Sequence, residues 1–220
     1  NSKKLKITNS LIIIWDRYCK NEFLNDNNID YCSLKNINTK LGEVYQTPNN
    51  FVLLMQLHPK QFNNINDFFK MLHDFIKTFK ENYHIENLIN ISTCGTSPKN
   101  NIKIGSIHQI NKCIIFGYPE YKFNTKRIHG NKIYMKTPVY KKNNIVQITK
   151  KFVSKNIDKT IFSKNEIVFY GEDSFIILIL GNQLNLKTLC LVGVTDTQSW
   201  KQYPIHGDKT GKQLIKYIFY

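Results

Sequence analysis

The stretch of residues 166–196 is so apolar that most of it has to be buried. A short strand, Glu166–Tyr170, leads through an acidic turn into a run beginning near Phe175 that is apolar on nearly every helical face, which predicts a buried helix. The run Leu186–Val194 is rich in Leu and Val, as expected of a strand covered on both sides. The stretch therefore predicts a strand, helix, strand unit of an α/β fold.

Two aspartates stand at the ends of elements in this unit. Asp173 lies in the turn before the helix, and Asp196 follows the second strand. The ligand crevice of an open α/β sheet lies beyond the carboxyl ends of its strands, so both acids face one cleft if the two strands are parallel. The alternative is that Asp173 only caps the helix and Asp196 only forms a turn. Taken singly, each aspartate leaves both interpretations open, and the pair favours the cleft.

Strands and helices also alternate elsewhere in the chain. The clearest helix is Asn64–Phe79, where apolar residues recur at helical spacing, and it leads into a strand, Asn87–Ser92. A closing helix is predicted over Lys209–Phe219. The remaining predicted strands are Leu11–Trp15, Phe51–Leu57, Ile107–Phe116, segments of Lys132–Tyr140, Asn144–Ile148 and weakly alternating antiparallel strands within Ile29–Tyr45. The pattern predicts one domain over residues 1–220, a three-layer α/β/α sandwich with a mixed central sheet.

The composition argues against several classes of protein. Lys and Arg total 31 against 16 Asp and Glu, which gives the 220-residue chain a formal net charge of +15. Such a charge attracts phosphates and nucleic acids, but no basic segment carries interleaved aromatics or a zinc-finger pattern, so a small anionic ligand is favoured over a nucleic acid. Five cysteines without a CxxC pair favour a reducing compartment, the cytoplasm, over a disulfide framework or a metal site. The longest apolar run, Phe175–Leu180, is too short to cross a membrane.

Three segments resemble the nucleoside phosphorylase and methylthioadenosine nucleosidase superfamily. Glu172-Asp173-Ser174 resembles the family's Met-Glu-Ser/Ala segment at a helix start, and Val194-Thr195-Asp196 resembles its apolar strand ending in Ser/Thr-Asp. Leu88–Ser106 resembles the family's strand, small-residue loop and Lys-Val-Gly-Asp segment without a gap. The resemblance implies the same three-layer fold, binding of a purine nucleoside or nucleotide, and cleavage of its N-glycosidic bond.

The resemblance also implies roles for individual residues. Asp196 would protonate or hydrogen-bond the purine, and Asp173 would accept from the ribose hydroxyls, where the family usually has the longer Glu. No metal or cofactor is implied beyond phosphate as a co-substrate, and a homo-oligomer is implied because neighbouring subunits complete the site in the family. The other residues at substrate-binding positions are Glu172, Thr195, Ser92, Thr93, Cys94, Gly95 and Tyr140, the last of which is better explained as a core residue.

The sequence departs from the family where relatives hold phosphate or activate water. Most glycines and the arginine of the phosphate loops are missing, which leaves Arg17, His58 and Lys60 as candidate anion-binding residues. An ungapped alignment places Lys20 at the position of the water-activating carboxylate, with Asp16 and Glu22 flanking it. The alternative to an active enzyme is therefore a catalytically inactive relative used for ligand sequestration or structural assembly.

Overall fold

The computed structural model describes most of the chain and gives its helices and strands. The described residues are 7–58, 61–62, 65–96, 101–110, 112–115, 128–129, 145–148, 169–171, 173–197 and 200–220. The helices are α1 (Arg17–Asn25), α2 (Ile65–Tyr83), α3 (Ser174–Gln183) and α4 (Tyr203–Phe219), the last preceded by a 3-10 turn, Trp200–Gln202. The strands are β1 (Ser10–Ile14), β2 (Cys32–Ser33), β3 (Gly42–Gln46), β4 (Asn50–Met55), β5 (Asn87–Thr96), β6 (Ile107–Ile110), β7 (Lys112–Ile115), β8 (Ile128–His129), β9 (Ile145–Ile148), β10 (Phe169–Tyr170) and β11 (Lys187–Asp196).

The strands form one mixed sheet with a parallel centre. β1 is parallel to both β4 and β5, and β11 is parallel to β5 along nearly its whole length. Antiparallel pairs flank this centre, since β2 and β3 extend the sheet beyond β4 and β6 pairs with β11. The four parallel strands place their carboxyl ends at one edge of the sheet, which is where α/β folds hold their ligands.

Helices cover both faces of the sheet, as the predicted three-layer sandwich requires. Because successive strand residues point to opposite faces, Leu11 and Ile13 of β1 pack on the side of α2 and α3, whereas Ile12 and Ile14 pack on the side of α1 and α4. The buried residues of α2 include Phe68, Leu72 and Ile76, those of α3 run from Ser174 to Gly181, and those of α1 and α4 include Phe23, Leu214, Ile215 and Ile218. The predicted fold class is confirmed.

Helices α1 and α4 approach each other closely at two glycines. A Cβ atom on Gly207 would lie 2.2 Å from ring atoms of Tyr18, and one on Gly211 would lie 3.0 Å from the Tyr18 carbonyl carbon. Side chains at these positions would separate the helices, so glycine is required for the contact. The backbone of α4 thereby packs directly against the start of α1, next to the carboxyl edge of the sheet.

The structure corrects several predicted boundaries. α4 begins six residues before the predicted Lys209, with Pro204 in its first turn, and the short helix α1 was not predicted, since its mean hydropathy is low. The predicted strand Ile107–Phe116 is two strands, β6 and β7, with different partners. β5 continues to Thr96, so residues 93–96 belong to the strand where a small-residue loop was expected. The predicted strand segments in Lys132–Tyr140 lie outside the described residues.

The two strands on either side of α3 are not parallel, which was the condition for both aspartates to follow strand ends at one cleft. β10 runs antiparallel to β5, whereas β11 runs parallel to it. Asp173 reaches the sheet through α3 instead: Gly181, near the end of this helix, lies against Thr188 at the start of β11, and Ser174 at its beginning contacts Cys190 further along that strand. The helix therefore points its N-terminus towards the carboxyl edge of the sheet.

Candidate functional site

Three buried aspartates come from the turns and strand end at the carboxyl edge of the sheet. Asp16 follows β1, Asp173 precedes α3, and Asp196 is the last residue of β11; their side chains are 8%, 8% and 6% exposed. Buried carboxylates are costly unless hydrogen bonds or charges compensate them. The hydrogen-bond partners of each aspartate therefore indicate its role.

Asp196 is directed by an irregularity in β11. The pairing of β11 with β5 shifts register between Val194 and Asp196, so that Asp196 lies opposite Gly95. Such bulges change the direction of a side chain at a strand end. The hydroxyl of Thr195, the residue inside the shift, lies 3.2 Å from the Cys94 carbonyl oxygen and 2.9 Å from Asp196 Oδ1, and both oxygens are positioned to accept from it. Thr195 thus ties the Asp196 carboxylate to the end of β5.

Asp173 occupies the N-cap position of α3 but does not cap the helix. Its side chain makes no hydrogen bond to the backbone N–H groups of the first turn. Instead, its Oδ1 accepts from the amide Nδ2 of Asn90 on β5 at 3.1 Å. The interpretation of Asp173 as only a helix cap is therefore wrong, and its carboxylate is directed across the sheet edge.

The two aspartates act on the same buried thiol. Burial raises the pKa of the Cys94 thiol well above its ordinary value, and the charges of Asp196 and then Asp173 raise it further. The thiol, 5% exposed, stays protonated and is a poor nucleophile. Both carboxylates are joined to β5, the strand that carries Cys94: Asp173 accepts from Asn90, and Asp196 lies opposite Gly95.

Asp16 differs from these two because both oxygens of its carboxylate accept hydrogen bonds from other parts of the protein. Its Oδ1 caps α1 by accepting from the backbone N–H groups of Tyr18 at 2.9 Å and Cys19 at 3.1 Å. Its Oδ2 accepts from the hydroxyl of Thr93 at 3.2 Å and from that of Tyr203. Burial, with the charge of Asp16 next, raises the pKa of the Tyr203 hydroxyl, which stays a hydrogen-bond donor. Asp16 thus joins β1, α1, β5 and α4.

The position of the family's water-activating carboxylate holds an amine. Lys20 is half-buried, its ammonium donates to the Met55 carbonyl at 2.8 Å, and burial lowers its pKa. Glu22 lies further along α1, in the turn that ends the helix, where its backbone carbonyl accepts from the Asp26 N–H at 2.9 Å. Of the two carboxylates that flank Lys20, only Asp16 lies near the site, and four donors already occupy it.

The candidate anion-binding residues lie against different helix layers. The Arg17 guanidinium stacks on the rings of Tyr18 and Tyr203, 4.7 and 5.5 Å from their centroids. His58 packs edge-on against the ring of Trp15, with 6.3 Å between the centroids, on the side of α2. No described contact joins the two into one anion site. Lys60, like Glu172 and Tyr140, lies outside the described residues.

The predicted residues of the β5 segment lie at its carboxyl end. Thr93 bonds to Asp16, Gly95 pairs with both Tyr170 and Asp196, and the Ser92 hydroxyl donates to the Thr93 carbonyl at 3.3 Å. Sequence reasoning missed Tyr203 and Asn90. A signal for Asn90 existed, because a single amide interrupts the apolar run from Leu88 to Ile91. Tyr203 gave no signal, since it bonds to a residue 187 positions away.

Two further findings concern metal-binding groups and membrane-spanning helices. Among the described residues, no group of three or more His, Cys, Asp or Glu side chains is arranged to hold a metal ion. The described helices also include none long and apolar enough to span a membrane.

Comparisons with solved structures place the fold. The 5'-methylthioadenosine nucleosidase of Arabidopsis thaliana superposes with a TM-score of 0.70 at 11% identity, over 96% of this chain and 93% of that one. An Asp-to-Asn variant of the Helicobacter pylori nucleosidase, with 5'-methylthioadenosine in its active site, gives 0.69 at 9% identity over 95% of both chains. Futalosine hydrolase of Helicobacter pylori gives 0.68 at 10% identity over 95% of both.

Sequence comparison alone does not reach these proteins. No family model and no curated protein matches the sequence. The structural agreement nevertheless covers nearly the whole of each chain, and it agrees with the family that the segments around Asp173, Asp196 and Leu88–Ser106 resemble. The chain therefore has the fold of the nucleoside phosphorylase and nucleosidase superfamily.

Proposed function

We propose that this protein binds a purine nucleoside or nucleotide and cleaves its N-glycosidic bond. The observation that carries the proposal is the placement of Asp173. This aspartate stands where a helix cap is expected, makes no side-chain capping bond, and accepts instead from Asn90 of β5, the strand whose end also pairs with Asp196. A buried carboxylate that gives up a stabilising cap is better explained by a ligand than by stability.

The proposed chemistry assigns one role to each carboxylate. Cleavage of a purine N-glycosidic bond needs a proton donor near N7 of the base and anchoring of the ribose, whose ring becomes cationic in the transition state. Asp196, held by Thr195, supplies the contact to the purine. Asp173 accepts from the ribose hydroxyls, and its negative charge stabilises the developing cation. Residues 92–95 of β5 form the floor between them.

The solved relatives support a nucleoside-type ligand. Two of those compared above are nucleosidases or variants of one, and one of these holds 5'-methylthioadenosine in its active site. The fold agreement makes the same class of ligand the first to test here. A homo-oligomer and a cytoplasmic location are part of the same proposal, and light scattering of the purified protein tests the first of them.

A second function, nucleoside binding without cleavage, is favoured by one observation. Lys20 stands where a water-activating carboxylate is expected, and the adjacent Asp16 is occupied by four hydrogen-bond donors. Hydrolysis needs a base with a lone pair available to water. A protein with this arrangement either uses phosphate as the nucleophile or sequesters the nucleoside intact.

The deciding experiment measures release of free base from adenosine, inosine, methylthioadenosine and adenine nucleotides, with and without phosphate. We expect release, and we expect Asp196→Asn to lower its rate by about 100- to 10,000-fold, the usual contribution of a general acid. Asp74→Asn is the matched control, since its carboxylate is 62% exposed on α2, and it should leave the rate unchanged.

Calorimetry with the same ligands separates the remaining outcomes. Binding without release establishes the inactive protein and rejects the enzyme. Neither binding nor release rejects both functions. Release that persists undiminished in Asp196→Asn rejects the role assigned to this residue.

A further inference from the structure

Asn90 is a buried amide in the middle of an apolar strand. Its side chain is 0% exposed and points from β5 to the side of α2 and α3, between the buried residues Ile89 and Ile91, which point to the other face. Burying an amide costs free energy unless its polar atoms are hydrogen-bonded. An apolar residue would pack here without that requirement, so the hydrogen-bond partners of the amide explain why it is present.

The partners of the two polar atoms lie on opposite sides of the amide. The indole Nε1 of Trp15 donates to Asn90 Oδ1 at 2.6 Å. Asn90 Nδ2 donates to Asp173 Oδ1 at 3.1 Å and makes a longer contact, 3.5 Å, with the Ser174 hydroxyl. An indole N–H can only donate, so the amide oxygen has to face Trp15 and the amide NH₂ group has to face Asp173. The direction of the Asn90 amide is therefore fixed by Trp15.

We infer that Asn90 is a positioning residue that turns the Asp173 carboxylate away from α3 and towards the ligand; the inference rests on the proposed function. An aspartate at an N-cap position ordinarily folds back onto the N–H groups of the first turn. Asn90 competes with those groups for Asp173, and Trp15 keeps the competing donor in place. Loss of the amide allows the carboxylate to return to its own helix and leaves the ribose without its acceptor.

The test compares two ligands that differ by the ribose. In Asn90→Leu, a substitution of similar volume, the affinity for adenosine is expected to fall about tenfold, the usual effect of one lost hydrogen bond. The affinity for adenine is expected to change less than twofold, because Asp173 does not contact the base. Asn87→Leu, the same substitution at the other end of the strand, should change neither. A purely structural role of Asn90 would lower both affinities together, and that result, or an unchanged adenosine affinity, would overturn the inference.

A ligand-free measurement separates this inference from the proposed function. The NMR resonance of the Trp15 indole proton, assigned with Trp15→Phe, is expected to move on Asp173→Asn in the wild-type background but not in Asn90→Leu. If no nucleoside binds and the resonance still moves, the proposed function fails and the connection from Asp173 to Trp15 stands. A resonance that does not respond to Asp173→Asn rejects the inference, whatever binds.

Discussion

Helices α1 and α3 both begin with an aspartate at the carboxyl edge of the sheet, and only one of these aspartates caps its helix. Asp16 accepts from two backbone N–H groups of α1 and from the hydroxyls of Thr93 and Tyr203. The Asp173 carboxylate accepts from Asn90 across the sheet and makes no capping bond to α3, where the Ile176 N–H donates to the Asp173 backbone carbonyl at 3.0 Å. The same residue type at the same kind of position therefore serves structure in one helix and, in our proposal, a ligand in the other.

The difference follows from how each helix is held in place. α1 is short and mostly polar, so its start needs the cap and the contacts to α4. α3 is buried from Ser174 to Gly181, and its packing holds it without a cap. A well-packed helix therefore leaves its N-cap residue available for another purpose, whereas a marginal helix does not.

The largest expected effect is a loss of stability in Asp16→Ala. The substitution removes the cap of α1, worth about 1 kcal/mol, and leaves the two hydroxyls without their acceptor at about 1 kcal/mol each. We expect a total near 3 kcal/mol in urea unfolding. Asp173→Ala, the matched substitution, should cost about 1 kcal/mol, since no capping bond is lost. Equal losses in the two variants would contradict the contrast between the helices.

The second effect is a dependence of the folding stability on pH that comes from His108 and not from the buried aspartates. Burial lowers the pKa of His108 from the ordinary value of 6.5 to about 4. Between these values the unfolded chain binds a proton that the folded protein does not, so stability falls as the pH is lowered from 6.5 to 4, by at most about 1.4 kcal/mol per pH unit. In His108→Gln, the free energy of unfolding measured between pH 4 and 6.5 should no longer show this slope. An unchanged slope would mean that other titratable groups cause it.

The smallest effect is expected from Tyr203→Phe. The substitution keeps the ring, which packs at 5.2 Å from that of Tyr18, and removes only the hydroxyl that donates to Asp16. We expect a loss of about 1 kcal/mol, measured by urea unfolding. Because Asp16 keeps its cap and Thr93, the loss should be clearly smaller than in Asp16→Ala. A loss of the same size would mean that Tyr203, and not the cap, fixes the start of α1.

The sequence predicted the layers and the central strands because these depend on local patterns. The all-round apolar run from Phe175 and the periodicity of Asn64–Phe79 gave α3 and α2, and the resemblance gave the family of the fold. The direction of β10 could not be predicted because strand pairing depends on residues far apart in the chain, here residues 95–96 with 169–170. The hydrogen bonds of Asp173, Asp16 and Tyr203 were not predictable for the same reason.

The contact of Gly207 with the ring of Tyr18 has an evolutionary consequence. Because a methyl group at position 207 would overlap that ring, a homologue with a larger residue there can keep the same spacing of the helices only with a smaller residue at position 18. The two positions, 189 residues apart in sequence, are thus expected to vary together among descendants of a common ancestor.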